Sequence, residues 1–295
     1  MESILQKNEQ AQEEKIQINN KIQLLAMENI KNRVLTASVP VFLNFPHEMS
    51  GAINEVLEGE YESGYFGENL TILDIGANIG SFAVWANMRW PKSKIYAFEP
   101  HPETFQLLTK NLENLDNIIC HNVAVYPSNK QKEPFYARFA GDGESGLVAY
   151  MNKAFDDLSE NNIIEVPVFH THKLPQADIV KIDTEGAEFQ ILSNMNLSEV
   201  SLILLEYHYV QDRENIKNLL QENFILEKEE NFEWSELLQE CQDVLEDIRS
   251  GDLDVDKWEF KRLLQYPTYK ESLSSDYYGR LFFANKRMNK LKKYP

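Results

Sequence analysis

The 295-residue sequence is poor in cysteine: it has only Cys120 and Cys241, which lie far apart. Two thiols are too few for a disulfide framework or a zinc site, so both are expected to be reduced. The sequence also lacks any run of about 18 consecutive apolar residues, and residues 1–15 hold no apolar core of the signal-peptide type. These absences predict a cytoplasmic protein that does not span a membrane.

Basic residues are scarce as well. The chain has 29 Lys and Arg against 47 Asp and Glu, which gives a formal net charge of -18. Binding to duplex nucleic acid or to an anionic membrane depends largely on Lys and Arg that neutralise phosphates, so neither is expected as the main partner. A cationic ligand is compatible with this charge. The length is sufficient for one large core and permits one domain or two.

The stretch Thr71–Phe82, TILDIGANIGSF, predicts a strand, a tight turn and a helix. The apolar run Leu70–Ile75 is typical of a buried parallel strand, Gly76 and Gly80 permit the turn, and Ser81–Met88 has a helical pattern. This combination opens an α/β unit.

A second glycine is missing from this turn, because Asn78 stands where a dinucleotide fingerprint needs one. No Lys-Ser or Lys-Thr pair follows Gly80, so a P-loop is excluded too. Glu99 ends the next apolar run, Lys94–Phe98, at about the 20-residue spacing at which an acid meets a ribose diol. The expected ligand is therefore a nucleoside without phosphates.

The two motifs together, DIGANIG and AFEP, resemble the S-adenosylmethionine site of class I methyltransferases. The resemblance assigns Asp74 to the amino acid end of this cofactor and Glu99 to its ribose. It also places the polar pair His121 and Asn122, after a third strand at Asn117–Cys120, near the adenine. The cofactor-binding residues predicted in this way are Asp74, Gly76, Asn78, Gly80, Ser81, Glu99, Asn122 and Asp183.

A second group of polar residues follows two further apolar runs. Ala177–Ile182 ends in DTEGAE, Asp183–Glu188, and Val200–Leu205 ends in Glu206, Tyr207 and His208. The carboxyl ends of parallel strands meet at the edge where open α/β sheets bind ligands. The candidate catalytic residues are therefore Asp183, Glu185, Glu206 and His208, whereas Glu188 suits the first turn of a helix.

The remaining segments are predicted from their patterns. Residues 1–33 form a helix with Ile4, Ala11, Ile18 and Leu25 spaced by sevens, which either lies on its own domain or pairs with a second copy in a homodimer. Residues 134–139 and 147–151 indicate a hairpin around a glycine-rich loop that is either a turn or a substrate loop. The acidic stretch 229–272 predicts an inserted helical element, and Tyr277–Ala284 the closing strand.

The ordered set ILDIGANIGSF, AFEPHPETFQLLTKNL, HNVAV, KIDTEGAE and LLEYH, within residues 70–208, resembles the FkbM family of S-adenosylmethionine-dependent methyltransferases. The resemblance implies a class I, Rossmann-like α/β fold: a mostly parallel seven-stranded sheet with an antiparallel last strand and helices on both faces. Residues 1–69 would be a helical extension or lid, and residues 70–295 the methyltransferase domain with the insertion. Thr184, where an aliphatic residue is common, and the acidic insertion depart from the pattern and leave the acceptor open.

The family implies transfer of a methyl group to a hydroxyl of a glycan, a sugar or a secondary metabolite. A hydroxyl needs a general base or a metal ion, and either His208 or Asp183 is the expected base. A Mg²⁺ site at Asp183 and Glu206 is an alternative. Two rival functions are a non-catalytic S-adenosylmethionine-binding protein, which the intact acids oppose, and a nicotinamide oxidoreductase, which Asn78 opposes.

Overall fold

A seven-stranded sheet forms the centre of the computed structural model. The structure describes residues 43–45, 53, 55–57, 59–233 apart from 142, 144 and 155–157, and 276–293 apart from 288 and 289. The strands of the sheet are β2 (Thr71–Ile75), β3 (Lys94–Phe98), β4 (Ile118–His121), β9 (Ile179–Ile182), β10 (Leu202–Tyr207), β11 (Phe224–Glu233) and β12 (Asp276–Asn285).

The strand order is β11-β12-β10-β9-β2-β3-β4. The five strands from β10 to β4 are parallel, and β12 runs antiparallel to both β10 and β11. The chain first moves outward from β2 to β4 and later returns to place β9 on the other side of β2. The strand order thus reverses between β2 and β9, which is where open α/β sheets bind their ligands.

The helices that follow strands of the sheets are α1 (Ser81–Arg89), α2 (Pro102–Leu112), α3 (Val148–Ala154), α4 (Glu188–Leu192) and α5 (Val210–Leu220). The start of α2 follows from its sequence. His101 caps its first N–H groups, and Pro102 stands at the first turn, where its missing N–H costs nothing.

Two apolar cores lie on the two faces of the sheet. The first contains Phe82, Trp85 and Trp90, and the second contains Phe98 and Tyr207. Neighbouring strand residues alternate between them: Ile72 belongs to the first core and Leu73 to the second. This division is what a sheet covered on both faces requires.

A smaller four-stranded sheet has the order β5-β8-β6-β7, with β5 at Ala124–Val125, β6 at Lys132–Tyr136, β7 at Gly146–Leu147 and β8 at Ile163–Phe169. The hairpin of β6 and β7 is present, but the predicted strand 147–151 is wrong beyond Leu147. Helix α3 begins at Val148, and its buried residues Tyr150 and Met151 lie three and four positions after Leu147. Apolar residues at this spacing form one face of a helix.

The predicted helix of residues 1–33 and residues 234–272 of the predicted insertion fall outside the described residues. The predicted start of the helical insertion at residue 229 is wrong, because residues 229–233 belong to strand β11. The strands β1 (Tyr65–Phe66) and β13 (Lys292–Lys293) form a separate antiparallel pair. Leu43, Phe45 and Ile53, from the predicted extension, pack into the first core. The domain boundary at residue 69 and the lid stay predictions. Within the described part of the chain, no helix is long and apolar enough to cross a bilayer.

Replacing Trp90 by alanine should destabilise the fold strongly. The Trp90 side chain is fully buried in the first core, and its indole N–H donates a hydrogen bond to the Tyr65 carbonyl oxygen at 3.1 Å. We expect Trp90→Ala to lower the free energy of unfolding by about 3 to 5 kcal/mol, measured by chemical denaturation. Leu219→Ala is the control, because Leu219 is 41% exposed and should change stability by only about 0.5 kcal/mol. Equal effects of the two substitutions would contradict this description of the core.

Candidate active site

A cleft opens at the carboxyl ends of β2, β3 and β9. Its wall includes the polar or turn residues Gly76, Asn78, Glu99, His101, Asp183 and Glu185. The hairpin of the smaller sheet closes one side with Phe135, Ser145 and Leu147.

The turn after β2 requires glycine at position 76. Its φ is +79°, and a β-carbon there would overlap the carbonyl oxygen of Asp183. The N–H groups of Gly76 and Ala77 both donate to the Phe98 carbonyl oxygen, at 3.1 and 2.9 Å. Asn78 also has a positive φ, +48°, in a region that asparagine tolerates better than most residues. The turn therefore holds its backbone close to both neighbouring strands.

Glu99 lies at the end of β3 and bridges two backbone groups. One carboxylate oxygen accepts from the Asn78 N–H at 3.0 Å and the other from the His101 N–H at 2.8 Å. Burial raises the pKa of this carboxyl to about 7, although both hydrogen bonds oppose the rise. Each carboxylate oxygen can accept a second hydrogen bond, so two ligand hydroxyls can still bind.

His101 presents a buried donor in the same wall. Its Nδ1 accepts the N–H groups of Glu103 and Thr104 at the start of α2, so the proton of the neutral ring is on Nε2. Burial lowers the pKa of His101, which favours this neutral form. Nε2 is buried and has no hydrogen-bond partner among the described residues. A ligand acceptor atom would satisfy it.

Asp74 lies beneath the cleft, fully buried. It pairs in register with Lys181 across β2 and β9, and its Oδ1 is 3.5 Å from the Lys181 ammonium. Burial raises the pKa of Asp74 to about 6, and Lys181 opposes the rise. The carboxylate thus faces the lysine, and its predicted contact with the cofactor stays a prediction.

Asp183 and Glu206 belong to a network of charged groups at this edge. Asp183 is 3.4 Å from the Lys181 ammonium, and Glu206 is 3.6 Å from the Arg280 guanidinium. Arg280 also pairs with Glu60 at 2.7 Å. Burial raises the pKa of Glu206 to about 8, and the nearby charge of Asp183 adds to the rise. Protons and cations are therefore shared among closely spaced carboxyls.

His208 lies between two carboxylates. Its Nε2 is 3.3 Å from Glu185, and its Nδ1 is 3.2 Å from Glu188. Burial alone would lower the pKa of His208, but Glu185 and Glu188 hold it well above its usual value. The fully buried Glu188 also accepts the N–H groups of Thr184 and Gly186. The two carboxylates therefore favour the charged form of the ring and fix its orientation.

The predicted site residues thus divide into two groups. Gly76, Asn78, Glu99, Asp183 and Glu185 line the cleft. The others lie near the cleft. Asp74, Glu206 and His208 form ion pairs there, and Asn122 donates hydrogen bonds to the Glu99 and Pro100 carbonyl oxygens. Gly80 immediately precedes α1, and Ser81 is its first residue. Their predicted roles in binding or chemistry stay predictions.

Four charged or polar residues at this edge, namely Glu60, His101, Lys181 and Arg280, are not predicted from the sequence. Two of them stand out in retrospect. Lys181 is a charged residue inside the apolar run of β9, and His101 immediately precedes Pro102, as a helix cap does. Glu60 and Arg280 gave no such indication, because only the strand order brings them together.

Asp183, Glu206 and His208 also form a group of metal-ligand type. One ligand atom from each lies within 4.8 Å of the others. The chain already provides Lys181 and Arg280 as counter-charges for the two acids, and a charged imidazolium cannot bind a metal. The donor set would thus have to lose a proton before it could hold an ion.

The reversal between β2 and β9, the glycine turn and the acid at the end of β3 define the fold class of the S-adenosylmethionine-dependent class I methyltransferases. The model of the methyltransferase FkbM domain matches residues 74–245. The chain belongs to this family, and the family confirms S-adenosylmethionine as the cofactor predicted from the sequence.

Among similar proteins, the hexuronic acid methyltransferase AglP of Haloferax volcanii is 26% identical over 160 residues, which cover 52% of this chain and 63% of the relative. The methyltransferase sdnD of Sordaria araneosa is 40% identical over 178 residues, covering 48% and 67%. The chain thus spans slightly less than two thirds of the archaeal relative. The precorrin-6y C5,15-methyltransferase of Geobacter metallireducens has a TM-score of 0.34 at 17% identity, over 57% of this chain and 69% of that one.

Gly76→Ala should disrupt the turn after β2, because a β-carbon at this positive φ meets the Asp183 backbone. We expect a loss of about 2 kcal/mol or more of unfolding free energy, or a protein that no longer binds S-adenosylmethionine. Thermal unfolding and calorimetric titration are the measurements. The control is Gly143→Ala in the same cleft, where no atom lies within 4 Å of an added β-carbon. Wild-type stability and binding in Gly76→Ala would refute the assigned turn geometry.

Proposed function

We propose that this protein transfers the methyl group of S-adenosylmethionine to a hydroxyl group of a sugar, a glycan or a secondary metabolite. One observation carries the proposal: Gly76, Glu99 and Asp183, from three neighbouring parallel strands, line a single cleft. The first two suit the cofactor, and the third suits the acceptor. The name of the Haloferax relative, a hexuronic acid methyltransferase, supports a sugar-type acceptor.

The cleft fits a nucleoside cofactor on several counts. Glu99 retains acceptor capacity for two ribose hydroxyls, and the buried Nε2–H of His101 lacks a partner among the described residues. The turn at Gly76 allows the ligand to approach the backbone closely. Around Asp183, carboxylates outnumber cations, and this favours a positively charged sulfonium over an anion.

S-adenosylmethionine supplies a methyl group already activated by its sulfonium, so the protein has to align the acceptor and accept its proton. We assign the proton-accepting role to Asp183. Its side chain is 29% exposed and lines the cleft, so an acceptor hydroxyl can reach it. The Lys181 ammonium lies 3.4 Å from this carboxylate and holds it at the edge of the cleft.

His208 has a different role in this proposal. As an imidazolium held between Glu185 and Glu188, it has no lone pair with which to accept a proton. It fixes the Glu185 carboxylate, which lines the cleft, and we therefore assign it to the positioning of Glu185. Of the two bases considered from the sequence, Asp183 is thus preferred.

Metal-assisted methyl transfer is the second candidate. It is favoured by the group of Asp183, Glu206 and His208, whose ligand atoms lie within 4.8 Å. A divalent cation there would lower the pKa of the acceptor hydroxyl in place of a general base. Turnover that needs Mg²⁺ or Mn²⁺ and stops with a chelator would replace the general-base mechanism by this one.

The pH dependence of nucleoside binding should follow Glu99. Its pKa is raised to about 7, so the carboxyl is partly protonated below pH 7 and then accepts hydrogen bonds poorly. We expect adenosine affinity to increase as the pH rises from 6 to 8 and to level off above that range. Adenosine is the probe because it lacks the titratable amino acid part of the cofactor. Glu99→Gln should bind about 10- to 100-fold more weakly and lose this dependence. An equal pH dependence in both proteins would disprove the assignment.

Asp183→Asn should reduce methyl transfer by about 10²- to 10⁴-fold, because the amide cannot accept the proton of the acceptor hydroxyl. Cofactor affinity should stay within a few-fold of wild type. Turnover is measured with labelled cofactor on an acceptor found by screening sugars and glycans. Asp116→Asn, at an exposed acid distant from the cleft, should retain full activity. A fully active Asp183→Asn protein would eliminate the general-base role.

A further inference from the structure

Lys181 occupies an unusual place for a lysine. It is the third residue of β9, all four residues of this strand are buried, and Lys181 itself is 4% exposed. Its register partner on β2 is Asp74, at the point where the strand order reverses. A charged side chain is rarely fully buried without partners, so the contacts of its ammonium group indicate its role.

The ammonium group contacts both chemical ends of the cleft. It donates a hydrogen bond to the carbonyl oxygen of Gly76 at 2.7 Å. It lies 3.5 Å from Asp74 and 3.4 Å from Asp183. The Gly76 contact is a hydrogen bond, and the two carboxylate contacts are ion pairs. The Lys181 side chain thus contacts both the turn at Gly76 and the carboxylate of Asp183.

Two aromatic rings enclose the same ammonium group. The rings of Tyr61 and Phe82 each lie 5.9 Å from it and contact each other edge to face at 5.1 Å. A cation over the face of an aromatic ring is attracted by the ring. Burial alone would lower the pKa of Lys181, but Asp183, Asp74 and two further glutamates hold it above its usual value. The group is therefore a fixed positive charge.

The turn at Gly76 forms hydrogen bonds with both neighbouring strands. On one side, the Gly76 and Ala77 N–H groups donate to the carbonyl oxygen of Phe98 on β3. On the other side, the Gly76 carbonyl oxygen accepts from Lys181 on β9. The backbone also joins the two strands here, because the Asp183 N–H donates to the Ile75 carbonyl oxygen at 3.0 Å. The lysine adds a side-chain contact between the turn and the Asp183 carboxylate.

We propose that Lys181 is a positioning residue that holds the Gly76 turn and the Asp183 carboxylate in the arrangement required for methyl transfer. This inference rests on the proposed function. The alternative is a purely structural role, in which Lys181 only neutralises the buried charge of Asp74. The two roles differ in what happens when both buried charges are removed together.

The test compares Lys181→Met, Asp74→Asn and the double variant Asp74→Asn/Lys181→Met. Lys181→Met leaves Asp74 buried without its cation and is expected to unfold more easily. The double variant removes both charges and should regain a thermal midpoint near that of wild type. It should still bind S-adenosylmethionine about 10- to 100-fold more weakly than Asp74→Asn, because the Gly76 carbonyl lacks its charged donor. Turnover at saturating cofactor should fall by about 10²-fold, because Asp183 is no longer aligned.

Lys290→Met is the matched control, because Lys290 forms an ion pair of 3.0 Å with Asp178, just before β9. It should leave cofactor affinity and turnover unchanged. The proposal would be overturned if the double variant equalled Asp74→Asn in cofactor affinity and turnover. It would also be overturned if the double variant failed to fold, because Lys181 would then be required for folding itself. Titration of wild-type protein in the same series tests cofactor binding itself, which separates failure of this inference from failure of the proposed function.

Discussion

The desolvation of carboxylates at one edge of the sheet is the constraint on which the rest of the site depends. Four of the five parallel strands, β2, β3, β9 and β10, carry an acid at or near this edge, and burial makes every unpaired charge costly. Three cations, Lys181, Arg280 and His208, offset part of that charge. The acids involved are Glu60, Asp74, Asp183, Glu185, Glu188 and Glu206.

The cations also connect segments that are distant in the chain. Arg280 on β12 pairs with Glu60, before the first strand of the sheet, and with Glu230 on β11. Lys181 connects β9 to β2. The neutralisation that the site requires therefore joins the β11 edge of the sheet to its centre. Changes in the outer strands can in this way reach the cleft through charge, without contact with a ligand.

The sequence predicted the local parts of this arrangement. Gly76, Asn78 and Glu99 were found because a strand, a turn and a following acid lie within a short stretch whose spacing has a direct geometric meaning. Asp183 was found because it follows an apolar run. For each of these residues, the information lies within a few positions of the residue itself.

The parts that the sequence did not predict depend on long-range geometry. The partner of Lys181 follows from the register of β9 against β2, and that of Arg280 from the insertion of β12 beside β10. Neither of these ion pairs can be predicted from residues that are close together in the sequence. The state of His208 depends on Glu185 and Glu188, which approach it from another strand end and reverse the effect of burial on its pKa. A helix begins at Val148 where a strand is predicted, because the spacing of the apolar residues in 147–151 is compatible with either structure.

The pairing of Asp74 with Lys181 has a consequence for the evolutionary history of the chain. Either charge alone in this buried position costs several kcal/mol, whereas the pair, or an uncharged pair of similar size, is tolerated. The two positions are directly opposite across β2 and β9 but far apart in the sequence. Substitution at one site therefore selects for compensation at the other, and relatives should show correlated rather than independent change at this pair of positions.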